Sequence, residues 1–224
     1  ELKKQISSKH QLYANADRQI AMCERAKWQL DHPQNYVITN VGPVINQETN
    51  DYSPVLSLDE SAMFFTSRRM RADSSNTFLT DFDTGEYKED IWVSYKDISG
   101  QWQAPELLNI NTDQHAASIS VSPDGQTLYI YFDENGNGQI YKSVLVGETW
   151  EKPELLGSDV NTEAWETHVT VSADGKTMYF VSDREGGYGG RDIYRCVKLP
   201  NDEWSKSLNI GAGINTPYEE DAVF

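Results

Sequence analysis

Short strand-like runs separated by polar turns fill most of this chain, and a helical pattern fills its first thirty residues. Two of the runs, residues 128–132 and 178–181, are almost continuously apolar. Strands of this kind are covered on both faces, whereas a strand with one wet face alternates apolar and polar residues. The turns between the runs are rich in Asp, Gly, Ser and Pro, which favour tight reversals. The pattern therefore predicts a mainly β fold built from stacked sheets.

Three residue types recur in register and define a repeat. They are an Asn after an aliphatic residue, an Asp in a turn thirteen residues later, and a Trp near the end of each unit. The copies are Asn46, Asn111, Asn161 and Asn215; Asp59, Asp124 and Asp174; and Trp102, Trp150 and Trp204. Successive Asn residues lie 65, 50 and 54 positions apart, close to the period of propeller blades. We therefore predict a β-propeller with four-stranded blades, in which each Trp wedges between neighbouring sheets.

The repeat divides the second part of the chain into blades. We predict a closing strand at 35–45, blade 1 at 46–110, blade 2 at 111–160, blade 3 at 161–214 and the start of blade 4 at 215–224. Blade 1 is the longest because residues 68–88, which are polar and aperiodic, are inserted between its second and third strands. Long loops in compact domains are often functional. Propellers typically close with about four to eight blades, so we expect this sequence to be part of an incomplete ring.

The segment 1–34 is predicted to be α-helical. Tyr13, Ala16, Ile20 and Cys23 fall at helical spacings of three and four. We expect two helices with a break between residues 7 and 15, and Asn15 is a candidate cap for the second. The His32–Pro33 pair should end the segment, because the residue before a proline avoids the helical region.

Residues 36–41 are strand-like and precede the first complete blade. They are followed by V-G-P-V-I-N, and comparable sequences, L-G-S-D-V-N and I-G-A-G-I-N, follow Trp150 and Trp204. By this correspondence 36–41 matches the last strand of a blade. We predict that it closes the ring by pairing with a final blade beyond Phe224.

Composition and charge exclude several classes of partner. The chain of 224 residues has 19 basic and 35 acidic residues, and its net charge of −16 repels nucleic acid phosphates and anionic lipids. No apolar run is long enough to span a bilayer. The chain starts at Glu1 without a signal peptide, which suggests a processed or truncated piece. Cys23 and Cys196 are expected to be two small buried residues rather than a disulfide, whose geometry is demanding.

The Gly-rich stretch S-D-R-E-G-G-Y-G-G-R-D-I-Y at 182–194 is the first candidate for chemistry. One interpretation is a ligand loop in which Arg184, Arg191 and Asp192 are polar hooks. The other is a connection between strands, in which Asp192 and Arg184 satisfy the backbone or each other. Asp90 occupies the place in blade 1 that Asp192 occupies in blade 3. Recurrence favours the architectural interpretation, because a single active site needs its residues only once.

Residues 133–138, D-E-N-G-N-G, resemble the start of a calcium loop. The helix–loop–helix form of that loop needs an acidic residue at its twelfth position, where this chain has Val144. A hairpin turn with Asn-Gly is the favoured alternative.

No catalytic, cofactor-binding or metal site is predicted, and we expect the protein not to be an enzyme. Its histidines, His10, His32, His115 and His168, show no metal-binding spacing. One of His115 and His168 could face the central channel. Propeller glycosidases pair two carboxylates across a cleft, but the acidic residues here fall in turns and surface loops.

Four pieces of the sequence carry a family resemblance. They are DYSP at 51–54, FTSRR at 65–69, residues 172–194, and LNIGAGINTPYEED at 208–221. They resemble the WD-like propeller repeat of Bacteroidetes OmpA-family periplasmic proteins, in which tetratricopeptide helices precede the propeller and a peptidoglycan-binding OmpA-like domain follows. That family includes the peptidoglycan-tethering component of the type IX secretion system.

The resemblance implies a periplasmic, outer-membrane-associated scaffold that binds other proteins of a larger assembly. It would reach peptidoglycan only through a domain that this chain lacks, with no nucleic acid partner and no membrane span. Blade 2 departs from the family pattern, since it reads Y-F-D-E-N-G-N-G-Q-I-Y where blade 3 has the Gly-rich stretch. A glycan- or small-ligand-binding propeller, or a glycoside hydrolase, is the alternative.

Overall fold

A computed structural model describes residues 11–134 and 137–223. The chain forms two compact units, residues 1–40 and residues 41–224. The described part of the chain contains no helix long and apolar enough to cross a membrane.

The first unit contains one described helix, α1 (Gln11–Asp31). It ends before His32–Pro33 as predicted, and the His32 amide donates to the Trp28 carbonyl at 3.0 Å. Asn15 lies inside α1, so its predicted capping role is wrong; the helical register already runs from Gln11. The predicted first helix falls on residues 1–10, which lie outside the described residues.

Residues 33–41 are not part of a strand, and the side chains of Tyr36, Val37 and Ile38 are exposed. No strand of the described residues pairs with them. Closure of the ring by this segment therefore stays a prediction.

The second unit consists of three antiparallel sheets that follow one another along the chain. Blade 1 contains β1 (Asp51–Leu56), β2 (Ala62–Ser67), β3 (Asp90–Tyr95) and β4 (Glu106–Leu107). Blade 2 contains β5 (Ala116–Val121), β6 (Thr127–Glu134), β7 (Asn137–Val146), β8 (Thr149–Trp150) and β9 (Glu154–Leu155). Blade 3 contains β10 (Glu166–Val171), β11 (Thr177–Ser182), β12 (Asp192–Val197) and β13 (Leu208–Asn209). In blade 2 the outer strand is split into β8 and β9, which both pair with β7.

The sheets are arranged as propeller blades. The first strands of neighbouring sheets contact one another, β1 with β5 and β5 with β10. The outermost strands β4, β9 and β13 contact only the third strands of their own sheets. The sheets therefore converge on their first strands and spread apart at their last, which confirms the predicted propeller of three four-stranded blades.

Apolar side chains fill the spaces between blades. One cluster joins blades 1 and 2 through Phe64, Ile91, Leu128 and Ile130, together with Trp150. A second joins blades 2 and 3, with Tyr129, Ile140, Met178, Phe180 and Tyr194 among its members. A third covers the opposite face of blade 1 and contains Ile45, Met63, Phe65 and Trp92. Because both faces of β2 and β6 are covered, these strands need the near-continuous apolar sequences they have. In β11, Met178 and Phe180 face the second cluster, whereas Tyr179 on the opposite face is half-buried.

The repeated Asn ties each blade to the segment that leaves it. Asn161 Oδ1 accepts a hydrogen bond from the Ile140 amide at 2.9 Å, and its Nδ2 donates to the carbonyls of Ile140 and Leu156 at 2.8 and 2.9 Å. Asn111 makes the same contacts with Ile91 and Leu108. The carboxamide therefore takes the place of a peptide group and extends the outer strand by one residue.

The repeated Asp organises the turn between the first two strands. In blade 3 the Ser172 hydroxyl donates to Asp174 at 2.6 Å and accepts from the Thr177 amide at 3.0 Å. The residue after the Asp has positive φ in every blade: 56° at Glu60, 70° at Gly125 and 69° at Gly175. Glu60 therefore keeps the same turn without Gly.

The repeated Trp faces the preceding side of its blade. Trp150 is buried and meets Phe64 of blade 1 edge to face, with ring centroids 5.7 Å apart. Trp204 packs on the cluster between blades 2 and 3, and Trp102 packs on the third cluster. Both are only half-buried, so the predicted wedge is complete at Trp150 alone.

The cysteines do not form a disulfide. Cys196 is buried, as predicted, and desolvation raises the pKa of its thiol to about 11. Cys23 is exposed on α1, so its predicted burial is wrong: the helical spacing places it on one stripe of α1, but that stripe is open to solvent.

Candidate functional site

The three innermost strands enclose a cavity of about 500 Å³. β1 contributes Ser53, Pro54 and Val55, β5 contributes Ala117, and β10 contributes Thr167 and His168. Tyr131, Trp165, Arg191 and residues 221–223 complete the lining. A pocket of this size, at the convergence of several elements, is the usual form of a small-molecule site. We call it the inner cavity.

Each innermost strand has a break in its pairing register at the level of the inner cavity. The irregularity lies between Tyr52 and Val55 in β1, between Ser118 and Ser120 in β5, and between Glu166 and Val169 in β10. Bulges of this kind re-aim side chains and are common next to functional sites. In β10 the irregularity contains Thr167 and His168, and both line the cavity. His168 is thus the histidine that faces the centre, as the sequence analysis allowed.

An aromatic pair forms one wall of the inner cavity. The indole Nε1 of Trp165 donates to the Tyr131 hydroxyl at 2.8 Å. Gly138 lies directly against this pair, and a Cβ there would overlap the Tyr131 ring and Trp165 Nε1. The missing side chain at position 138 therefore makes room for the hydrogen bond. This hydrogen bond holds the indole at a fixed orientation although Trp165 is 43% exposed.

Charged groups of both signs lie beside the aromatic wall. Arg191 pairs with Glu219 at 2.6 Å and with Asp221 at 3.4 Å, and its guanidinium carbon lies 5.7 Å from the Trp165 ring centroid. His168 Nδ1 lies 3.9 Å from Asp221. Burial lowers the pKa of His168, with Asp221 opposing this shift and Arg191 adding to it. The imidazole is therefore neutral at pH 7.

A second polar cluster adjoins the inner cavity through Ala117 and Tyr131. At its centre the Glu89 carboxylate accepts from the Tyr52 hydroxyl at 2.7 Å and contacts Arg68 and His115 Nδ1. Arg68 also lies 3.4 Å from Glu86. Because Arg68 and Glu86 belong to residues 68–88, this cluster ties the insertion of blade 1 to the start of blade 2.

Arg184 of the Gly-rich stretch is structural. It pairs with the buried Glu166 at 3.0 Å, donates to the Val160 carbonyl at 2.5 Å, and stacks over the rings of Phe180 and Tyr194. Arg69 of blade 1 repeats this arrangement with Asp51 at 2.7 Å and the Ile45 carbonyl at 2.8 Å. Arg184 and Asp192 therefore satisfy backbone groups, the Val160 carbonyl and the Tyr188 amide, as the architectural interpretation allowed, and the carboxylate partner of Arg184 is Glu166 rather than Asp192.

Asp90 and Asp192 occupy matching registers, opposite Ser67 and Ser182. Asp90 binds Arg71 in two places, at 2.6 and 2.8 Å. Asp192 accepts from the Tyr188 amide at 2.5 Å and from Asn209 Nδ2 at 3.0 Å. Both carboxylates therefore fix the connection between the second and third strands. Of the three candidates in the stretch, only Arg191 lines the inner cavity.

β6 and β7 pair antiparallel on either side of the predicted Asn-Gly turn, with Asp133 opposite Gly138. Glu134 of β6 pairs with Asn137 of β7. Asn135 and Gly136 lie outside the described residues. No cluster of three or more potential metal ligands of the His, Cys, Asp or Glu type occurs in the described part of the chain.

The insertion, residues 68–88, is firmly anchored yet exposes two aromatic side chains. Asn76 is buried, where its Oδ1 accepts from the Arg71 amide at 2.9 Å and its Nδ2 donates to the Arg69 carbonyl at 3.1 Å. The second half is a hairpin bridged by Thr80 and Tyr87. Phe78 and Phe82 are 93% and 100% exposed.

The sequence analysis missed Tyr131, Trp165, Glu89 and Asp221 as members of these clusters. Trp165 carried a signal, since a large aromatic residue directly before a first strand has no equivalent in blades 1 and 2, which have Asn50 and His115 there. The others come together only through the convergence of blades.

No protein-family model matches the chain, and no curated protein matches it significantly. Among solved structures, TolB from Acinetobacter baumannii is similar at TM-score 0.47 and 21% identity, over 73% of this chain and 33% of that one. A putative TolB from Agrobacterium tumefaciens is similar at TM-score 0.46 and 16% identity, over 78% of this chain and 55% of that one. A puromycin-hydrolysing peptidase of Mycobacterium tuberculosis is similar at TM-score 0.44 and 18% identity, over 75% of this chain and 22% of that one.

This chain spans less than two thirds of each of those proteins. The assignment of the chain as a β-propeller rests on the topology and convergence of its three sheets.

Proposed function

We propose that this chain is a non-enzymatic scaffold module that binds other proteins through the insertion of blade 1. The observation that carries the proposal is the exposure of Phe78 and Phe82 on a loop anchored at both ends. Exposed aromatic side chains are enriched at the centres of protein interfaces. Holding them on an ordered loop lowers the entropy lost when a partner binds.

The anchoring of the insertion supports this role. The paired Arg71 and Asp90 are both largely buried beneath it. The contact of Arg68 with Glu89 fixes its first residue, and Nζ of Lys88, its last residue, donates to the Asp113 carbonyl at 2.9 Å. A mobile linker would not need these contacts.

The setting that we propose is the periplasm, in an outer-membrane-associated complex. The motifs at 51–54, 65–69, 172–194 and 208–221 support it through their resemblance to Bacteroidetes OmpA-family propellers. In that setting the module would link secretion or envelope machinery to peptidoglycan through a separate domain. The net charge of −16 favours partners with basic surfaces.

A photo-crosslinking amino acid placed at Phe82 of the full-length protein tests the proposal in cells. The matched control places the same group at Ile98, an apolar residue that is also fully exposed, in the turn between β3 and β4 of the same blade. We expect position 82 to capture one or a few defined proteins that position 98 does not capture. The Phe78→Ser and Phe82→Ser double variant should release the full-length protein from its native complex.

Equal capture at positions 82 and 98 would contradict the proposal. So would recovery of the wild-type full-length protein from its native envelope as a soluble monomer.

A further inference from the structure

We infer that the inner cavity binds a neutral sugar, with the ring of Trp165 as the platform for one sugar face. The inference does not rest on the proposed scaffold function. The inner cavity has a volume of about 500 Å³, which lies inside the range of about 300–1,000 Å³ that small-molecule sites occupy.

The aromatic wall is pre-organised. Trp165 is 43% exposed, yet its Nε1 is held by the Tyr131 hydroxyl, which itself packs against Gly138. The indole is fixed by this hydrogen bond, and the Arg191 guanidinium lies over part of its ring. The ring surface that Arg191 leaves open can receive a ligand without losing further rotamer freedom. Pyranose rings carry a face of C–H groups that can lie on such a surface, with their hydroxyl groups at the edge.

The charges in the inner cavity argue against a charged ligand. Arg191 already has Glu219 at 2.6 Å and Asp221 at 3.4 Å, so two carboxylates offset its charge before an anion arrives. A cation at the ring of Trp165 would meet the Arg191 guanidinium, whose carbon lies 5.7 Å from the ring centroid. Both kinds of ion are therefore disfavoured at the position that the aromatic wall offers.

The polar groups also argue against a purely apolar ligand. Such a ligand would strip water from Arg191 and Asp221 without replacing their hydrogen bonds, which is unfavourable for polar groups. A polyhydroxylated ligand supplies both donors and acceptors. The Asp221 carboxylate and the Thr167 hydroxyl can accept from it, and the guanidinium can donate to it.

Calorimetric titration of the full-length protein tests the inference with named probes. The neutral probes are chitotriose and maltotriose, and the charged probes are inorganic phosphate and tetramethylammonium. We expect saturable binding of at least one trisaccharide. Trp165→Ala should weaken it at least tenfold. Trp28→Ala is the matched control, because Trp28 is similarly exposed at 56% but lies on α1, and it should bind as the wild type does.

A second variant keeps the test decisive if Trp165→Ala does not fold. Asp221→Asn changes a largely exposed side chain that lines the cavity, and it should weaken trisaccharide binding at least threefold with an unchanged unfolding midpoint. Three outcomes overturn the inference: neither trisaccharide binds at millimolar concentration, a charged probe binds where the sugars do not, or the folded cavity variants bind as tightly as the wild type.

Discussion

Blades 2 and 3 differ in how the chain passes from the second strand to the third. In blade 3, β11 ends at Ser182 and the chain makes a Gly-rich excursion before β12. A buried Glu166–Arg184 pair holds the base of that excursion. In blade 2, β6 continues to Glu134, which pairs with Asn137 of β7, and position 116, which corresponds to Glu166, is Ala.

The difference explains why the Arg recurs. A hairpin satisfies its own backbone through the strand ladder, so blade 2 needs no anchor. The connections of blades 1 and 3 leave the ladder, and Arg69 and Arg184 bind both a carboxylate and the carbonyl that precedes the repeated Asn. The pair of an Arg and a carboxylate therefore accompanies a long connection between strands. In blade 3 alone this pair resembles a catalytic motif, but its recurrence in blade 1 shows that it is an anchor.

Removing the acidic partner in blade 3 should have the largest effect. Glu166→Ala leaves the Arg184 charge largely buried without its carboxylate, and we expect a loss of about 3–5 kcal/mol in the free energy of unfolding. Urea unfolding measures it. Glu163→Ala, an exposed neighbour in the same loop, is the control and should stay within about 0.5 kcal/mol. A loss below 1 kcal/mol for Glu166→Ala would remove the anchor from the explanation.

For the repeated Trp, we expect the larger loss of stability in blade 2 and the smaller loss in blade 3. Trp150 of blade 2 is buried against blade 1, and Trp150→Ala should cost about 3–5 kcal/mol because it opens a cavity between sheets. Trp204 of blade 3 is half-buried, so Trp204→Ala should cost less than half as much. Thermal and urea unfolding of the two variants compare them directly. Equal losses would show that the wedge does not depend on burial.

The turn glycines should give a smaller contrast. Gly175→Ala places a side chain at a φ of 69°, and we expect a loss of about 1 kcal/mol. At the matching position of blade 1, Glu60→Gly relieves the same strain but adds freedom to the unfolded chain. These effects offset each other, and the expected change is within about 0.5 kcal/mol. A clear gain in stability for Glu60→Gly would show that blade 1 carries unrelieved strain.

The smallest effect should be a dependence of stability on pH that comes from blade 3. Seven residues after the repeated Asn, the bulged strands carry Ser53, Ser118 and His168, so only blade 3 has a titratable group there. Because burial lowers the pKa of His168 below 6.5, the unfolded state binds more protons as pH falls below 6.5, and folding loses stability. His168→Gln should flatten the change between pH 7.5 and 5.5 in urea midpoints. If the urea midpoints of His168→Gln change with pH as those of the wild type do, another group causes the pH dependence.

The repeat made most of the propeller predictable. The spacing of Asn, Asp and Trp located the blades, and the apolar runs at 128–132 and 178–181 are β-strands, the first of them covered on both faces. Asn15 and Cys23 misled because helical spacing says which residues share a stripe, but not where the helix begins or what covers it.

The inner cavity was less predictable. Trp165, Tyr131 and Arg191 lie far apart in sequence, and only the convergence of first strands brings them together. The partner of Arg184 was missed for a similar reason. The pairing of β10 with β11 places Glu166 opposite Ser182, whereas the Gly-rich stretch alone offered only the backbone or Asp192 as partners.

The repeated Asn also has a mechanical consequence. The outer strands β4 and β13 pair through only two residues each, so a chain under tension would be expected to peel there first. The Asn side chains fasten the departing segment to the third strand, at Ile91, Ile140 and Ile193. A force that pulls on the segment leaving a blade is therefore transmitted to the third strand and is shared by several hydrogen bonds. In a tether between two envelope structures, this arrangement would let each blade resist extension without a long outer strand.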